Sequence, residues 1–172
     1  MTGSLHAMFS YQAWANAELF DCLERLDPAA HQAERLQMLR LMDHNFAVAD
    51  IFAAHLAGTG HGYVTDGSAE LPSLPALRDA VAASDRWYLD HVARISPAAL
   101  AQAVAFTFTD GDAGRMTRGE ILTHVVLHGG YHRGEVGRIL RQMGVTPPWD
   151  TFAVYLGRAL RSGGGAVSGR MS

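Results

Sequence analysis

The segment from Thr117 to Leu140 is the part of the sequence that most restricts the fold. Its apolar residues recur at spacings of three and four, which predicts a long amphipathic helix. Thr117 stands three residues before Glu120, and this spacing is typical of a capping box at a helix start. Gly144 and the prolines that follow it would end the helix. The segment therefore predicts one long helix with a defined beginning and end.

Three further segments show helical spacing of apolar residues, over about 5–26, 34–56 and 75–95, and a short helix is predicted near the C-terminus. The region 58–74 is rich in Gly, Ser and Pro, which predicts a loop. Residues 103–109 alternate small apolar or aromatic residues with threonine, which predicts a short strand or hairpin. Four long amphipathic helices with polar connections indicate an all-α protein, and specifically a four-helix bundle.

Composition indicates a single soluble domain of 172 residues, which we expect over residues 1–161, followed by a flexible tail over 162–172. The 14 Lys+Arg residues nearly balance 17 Asp+Glu residues, so neither nucleic acid nor a membrane surface is an expected partner. A single cysteine, Cys22, excludes an intrachain disulfide and fits a reducing compartment. No signal peptide or membrane-spanning apolar run is evident, and we expect a cytoplasmic location.

Three histidines, His124, His128 and His132, are spaced by four residues within the last long helix. Residues four apart on a helix are stacked neighbours, so two adjacent imidazoles could hold one metal ion. His124 and His132 are two turns apart, about 12 Å along the axis, which is too far for one ion to bridge easily. The helix therefore supplies either the first or the second adjacent pair. Histidines of the core or surface without a ligand are the other interpretation.

A third ligand has to come from another helix. The second predicted helix carries His44 and His55, which share a face but lie about 16 Å apart along the axis, so only one of them can join a site. Asp43 and Asp50 flank His44 and are either hydrogen-bond partners for an imidazole or solvated charges. The other histidines stand singly and are predicted not to be ligands: His6, His31, His61 and His91.

Three neutral imidazoles suit a divalent metal ion, with zinc or nickel as first choices and iron, manganese or copper as alternatives. A site with three protein ligands leaves positions open, as catalytic metal sites do. The ion could activate a water or hold a substrate thiol as thiolate. His-Glu-x-x-His and Gly-rich nucleotide motifs are absent from the sequence, which argues against a zincin protease or a nucleotide-binding enzyme.

Three sequence blocks stand in the order of a known family: YQAWANAEL at 11–19, LMDHNF at 41–46 and HVVLHGGYHRGEV at 124–136. Through these blocks, the chain resembles the DinB/YfiT-like family of metal-dependent helical bundles up to about residue 160. The third block is the most specific, because it is similar to the family pattern His-x-x-x-His-x-x-x-His-Arg-Gly-Gln. This chain has Glu135 where that pattern has glutamine.

The resemblance implies that His44, His128 and His132 are the metal ligands and that His124 does not bind the ion. It also implies an up-down-down-up bundle, often found as a homodimer. Relatives include transferases and isomerases that use a low-molecular-weight thiol, so a small-molecule substrate and such a thiol are the expected partners. A metal-binding stress-response protein without turnover is the alternative, and DNA binding is not implied.

Overall fold

A computed structural model of the protein describes residues 2–163. This part of the chain is mostly helical, with one small two-stranded sheet, as the sequence predicted. None of its helices is both long and apolar enough to cross a membrane. The elements are α1 (Thr2–Glu24), α2 (Gln32–Ala57), α3 (Leu74–Arg94), α4 (Pro97–Leu100), β1 (Ala103–Thr107), β2 (Ala113–Thr117), α5 (Arg118–Gln142) and α6 (Phe152–Gly163).

The four long predicted helices correspond to α1, α2, α3 and α5, and the predicted hairpin consists of β1 and β2. The strands pair antiparallel, with Ala103 opposite Thr117. One short helix, α4, was not predicted, because four residues are too few to show a helical period. The predicted tail, residues 162–172, lies largely outside the described residues, which end at residue 163.

Local signals explain where the helices begin and end. The capping box at the start of α5 is confirmed: Thr117 Oγ1 accepts from the Glu120 backbone N–H at 3.2 Å, and Glu120 accepts from the Thr117 N–H at 2.7 Å. Ser73 caps α3 by accepting from the Ala76 N–H. Gly58 ends α2 with φ of 71°, a left-handed conformation that glycine adopts without steric cost.

Helix packing creates two separate apolar clusters. Helices α1 and α2 each pack against both α3 and α5. The N-terminal halves of α1 and α5 and the C-terminal halves of α2 and α3 form the first cluster, and the opposite halves form the second. Representative members of the first are Phe9, Phe52, Tyr88 and Val125, and of the second Phe20, Met42, Val81 and Ile139.

Buried polar residues occupy the middle of the same helices, between the parts that enter the two clusters. They are Gln12 and Asn16 on α1, Asp43 and Asn45 on α2, Asp85 on α3 and Arg133 on α5. A buried polar side chain is costly unless it finds a hydrogen-bond partner or a ligand. We call the level of the helices that these residues occupy the middle layer. Its buried polar side chains make it the first place to look for a binding site.

Candidate metal centre

Three histidines of the middle layer meet between α2 and α5. His128 and His132 lie one turn apart on α5, and His44 faces them from α2. Each offers one ligand atom, and the three atoms lie within 4.8 Å of one another. The ring centroids are 4.5 Å apart for His128 and His132 and 4.7 Å apart for His44 and His132. This cluster could hold a metal ion.

Each of the three rings is oriented by a different oxygen at its Nδ1 atom. His132 Nδ1 lies 2.7 Å from Glu135 Oε2, and His44 Nδ1 lies 2.7 Å from the Asp66 carbonyl oxygen. Because these oxygens can only accept, the imidazoles donate from Nδ1. His128 Nδ1 is 3.3 Å from the amide oxygen of Asn45. The second nitrogen of each ring, Nε2, is thereby left with its lone pair for a ligand.

Burial keeps the rings of His128 and His132 in the neutral form that binds metal. It lowers the pKa of His128 to about 4, with further lowering from the neighbouring His132 and His44. Burial also lowers the pKa of His132, although its hydrogen bond to Glu135 acts in the opposite direction. At neutral pH both therefore present unprotonated Nε2 atoms.

The donor set fits a divalent ion. The Nε2 atoms of His128 and His132 are 3.2 Å apart. With the protons on Nδ1, the tautomer that the oxygen partners Asn45 and Glu135 favour, two Nε2 lone pairs face each other. A cation between them would turn this repulsion into attraction. Two imidazole nitrogens on a tetrahedral zinc ion, each about 2.0–2.1 Å from it, would be separated by about 3.3–3.4 Å. The side chains of His44 and His132 are 27% and 12% exposed, so solvent reaches the edge of the cluster.

Histidines that the sequence left open as alternatives lie elsewhere. His124 packs edge-on against Phe52, with ring centroids 5.0 Å apart, and is outside the three-histidine group. His55 stacks on Phe106, a member of the first apolar cluster, and its ring also contacts that of His61. The structure thus brings together the three histidines that the resemblance implied, and their role as ligands stays a prediction.

The partners of the imidazoles were largely missed at the sequence level. Asp43 accepts two hydrogen bonds from Ser68, and among the described residues it forms no hydrogen bond with an imidazole. Glu135 could have been found, because residues three apart on a helix are neighbours. Asn45 and Asp66 left no such signal, since one depends on the contact between α2 and α5 and the other on the path of a loop.

A second polar constellation lies beside the histidines, where Arg133 links three parts of the chain. Its Nε donates to Asp150 at 2.7 Å and its Nη1 to Asn16 at 3.2 Å. Asn16 in turn donates to Asp85 at 2.9 Å. Tyr11 donates to the other carboxylate oxygen of Asp150. This network joins α1, α3 and α5 to the segment before α6.

Burial and close packing shape this network. Arg133 is only 3% exposed, and burial raises the pKa of Asp85 to about 6 against the opposing effects of Asn16 and Arg133. A Cβ atom at Gly129 would lie 2.9 Å from Gln12 Oε1 and 3.1 Å from Arg133 Nη1. The glycine therefore makes room for these side chains against the backbone of α5.

Comparison with known proteins gives one match. A family model, described as the DinB family, matches residues 1–162. Neither a curated protein nor a solved structure matches the chain. The matched region includes all three clustered histidines and the Arg133 network. On this match, the chain belongs to the DinB family.

Proposed function

We propose that this protein is a divalent-metal-dependent enzyme that acts on a small molecule, with thiol-dependent transfer or isomerisation as the reaction class. The observation that carries the proposal is the convergence of His44, His128 and His132, whose ligand atoms lie within 4.8 Å of one another and whose rings are oriented from outside. Membership of the DinB family supports it, because the resemblance implies both the ligand set and the thiol chemistry.

The three histidines would hold the ion, with zinc or nickel as the first choices and iron, manganese or copper as alternatives. A bound divalent ion supplies a lowered pKa to a water or thiol that it coordinates. The chain itself orients the rings through Glu135 and Asn45, and the partial exposure of His44 leaves a route for a small reactant.

Metal analysis of protein purified without a histidine tag tests the site. We expect about one ion per chain in the wild type, and almost none in the double variant His128→Ala/His132→Ala. His124→Ala is the matched control, because it removes an imidazole from the same helix outside the group, and it should retain the ion. Equal metal content in the wild type and the double variant would refute the proposed site.

Turnover is tested separately with the metal-loaded protein, low-molecular-weight thiols and small electrophiles. Activity in the wild type and in His124→Ala, but not in the double variant, supports the enzyme. Bound metal without turnover for any thiol and electrophile pair favours the alternative, a metal-binding stress-response protein. A cytoplasmic location stays a prediction.

We further propose that the long helices form an up-down-down-up four-helix bundle. The two apolar clusters support this, because α1 and α5 enter the first cluster with their N-terminal halves while α2 and α3 enter it with their C-terminal halves.

We also propose a homodimer. Leu127 and Tyr131, one turn apart on α5, are 68% and 66% exposed and offer an apolar contact to a second copy. Light scattering should give twice the chain mass, reduced to the monomer by Leu127→Asp.

A further inference from the structure

The connection between α2 and α3 lies beside the histidine cluster. Residues 58–73 contain neither helix nor strand, yet the part from Thr65 to Ser68 is bonded to α2 at two adjacent residues, Asp43 and His44. We call residues 65–68 the clasp. The clasp is therefore attached both to a buried acid and to a candidate metal ligand.

Asp43 forms the first attachment. It is 4% exposed, and its two carboxylate oxygens accept from the Ser68 backbone N–H at 2.8 Å and from Ser68 Oγ at 2.6 Å. A Cβ atom at Gly67 would lie 3.4 Å from Asp43 Oδ2, so the clasp backbone approaches the carboxylate closely. A buried carboxylate without partners is strongly unfavourable, and hence Ser68 is held firmly in this position.

His44 forms the second attachment. Its Nδ1 lies 2.7 Å from the Asp66 carbonyl oxygen and 3.4 Å from the Asp66 carboxylate. An imidazole that binds an ion through Nε2 carries its proton on Nδ1, and outer hydrogen bonds of this kind set ring orientation and metal affinity. Asp66 belongs to a loop, unlike Asn45 and Glu135, so its position depends on the anchor at Asp43.

We propose that the clasp is the positioning element of His44, and that its closure on Asp43 through Ser68 sets the metal affinity of the site. This inference rests on the proposed metal site. Coupling between two binding events is reciprocal, so an ion on His44 also favours the closed clasp. Ser68 then acts on the ion through Asp43, Asp66 and His44 without touching it.

The test compares Ser68→Ala with Thr59→Ala. Each variant removes one hydroxyl from the connection between α2 and α3, and each of these hydroxyls donates a hydrogen bond to α2. The Thr59 hydroxyl, however, donates to the Ala54 carbonyl, away from His44. Zinc affinity is measured by competition with a chromophoric chelator, and amide hydrogen exchange of residues 63–68 is followed with and without zinc. The exchange measurement separates positioning from a purely structural role, which would not respond to zinc.

We expect zinc to slow exchange of the clasp in the wild type. Ser68→Ala should bind zinc roughly 2- to 10-fold more weakly, the effect of one typical hydrogen bond, because the Ser68 backbone N–H still donates to Asp43. Thr59→Ala should match the wild type. Unchanged affinity in Ser68→Ala, or clasp exchange that is the same with and without zinc, would overturn the inference and leave the metal site standing. A wild type that binds no zinc or other divalent ion would instead overturn the proposed function.

Discussion

Two adjacent residues of α5 belong to polar constellations of different kinds. His132 belongs to a cluster that is partly exposed and in which two Nε2 lone pairs face each other at 3.2 Å. Arg133 has a side chain that is 1% exposed. Its Nε donates to Asp150 and its Nη1 to Asn16, while its buried Nη2 has no hydrogen-bond partner among the described residues. A buried charge that is paired with protein atoms makes the fold depend on both partners, because losing one leaves the other without compensation. In the histidine cluster, by contrast, lone pairs that face one another repel, and a bound cation would relieve this repulsion.

Arg133→Met provides the strongest test of the structural half of this comparison. It removes the cation that pairs with Asp150 and also acts on Asp85. Because Arg133 is buried while Asp150 is 24% exposed, the cost should be at most about 3–5 kcal/mol, the value for a fully buried pair. We expect this loss in the free energy of unfolding, measured with urea. Arg141→Met is the control, because Arg141 is exposed and should change stability by less than about 0.5 kcal/mol. A loss at Arg133 no larger than at Arg141 would show that the network is not structural.

The pH dependence of stability reports on the same network through Asp85. Burial raises the pKa of this carboxyl from 3.8 to about 6 in the folded protein. The folded state then holds this proton more tightly than the unfolded state, so the contribution of Asp85 to the free energy of unfolding decreases as pH rises. From about pH 3 to pH 7 this decrease totals on the order of 3 kcal/mol, most of it between the two pKa values. The variant Asp85→Asn should lack this decrease, and parallel curves for the two proteins would contradict the assignment.

The histidine half of the comparison predicts stabilisation by metal rather than by protein partners. At a free zinc concentration of 100 times the dissociation constant, the wild type should gain about 2.7 kcal/mol in the free energy of unfolding. His44→Ala should lose this gain at the same zinc concentration. His55→Ala removes the alternative histidine of α2, packed on Phe106, and should keep it. Loss of the gain in both variants would argue against His44 as the specific ligand.

Glu135 offers the smallest and sharpest test. It accepts from His132, and the family pattern has glutamine at this position. Glu135→Gln keeps an acceptor oxygen without the charge, so zinc affinity should fall by about tenfold or less, whereas Glu135→Leu should cost roughly 10- to 100-fold. Chelator competition gives both values. Equal losses would mean that the negative charge, rather than the hydrogen bond, supports the site.

Much of the fold could be read from the sequence because helix signals are local. Apolar spacing located the four long helices, and the Thr117–Glu120 pair marked the start of α5. The four-residue helix α4 was missed because it is shorter than the period that would reveal it. The middle polar layer was not foreseen as a layer, since Asn16 and Asp85 are 69 residues apart and only helix packing brings them together.

The sequence by itself determined the helical segments and the adjacent histidine pairs of α5, because both follow from the fixed rise and turn of a helix. Spacing alone left open which adjacent pair of α5 would bind an ion and whether His44 or His55 of α2 would lie next to that pair. Packing of α2 against α5 brought His44 to the α5 pair, whereas His55 stacks on Phe106 of the first apolar cluster. The tertiary structure also chose the acceptors Asn45 and Asp66, because a contact between helices or with a loop depends on how the chain packs and not on spacing along it.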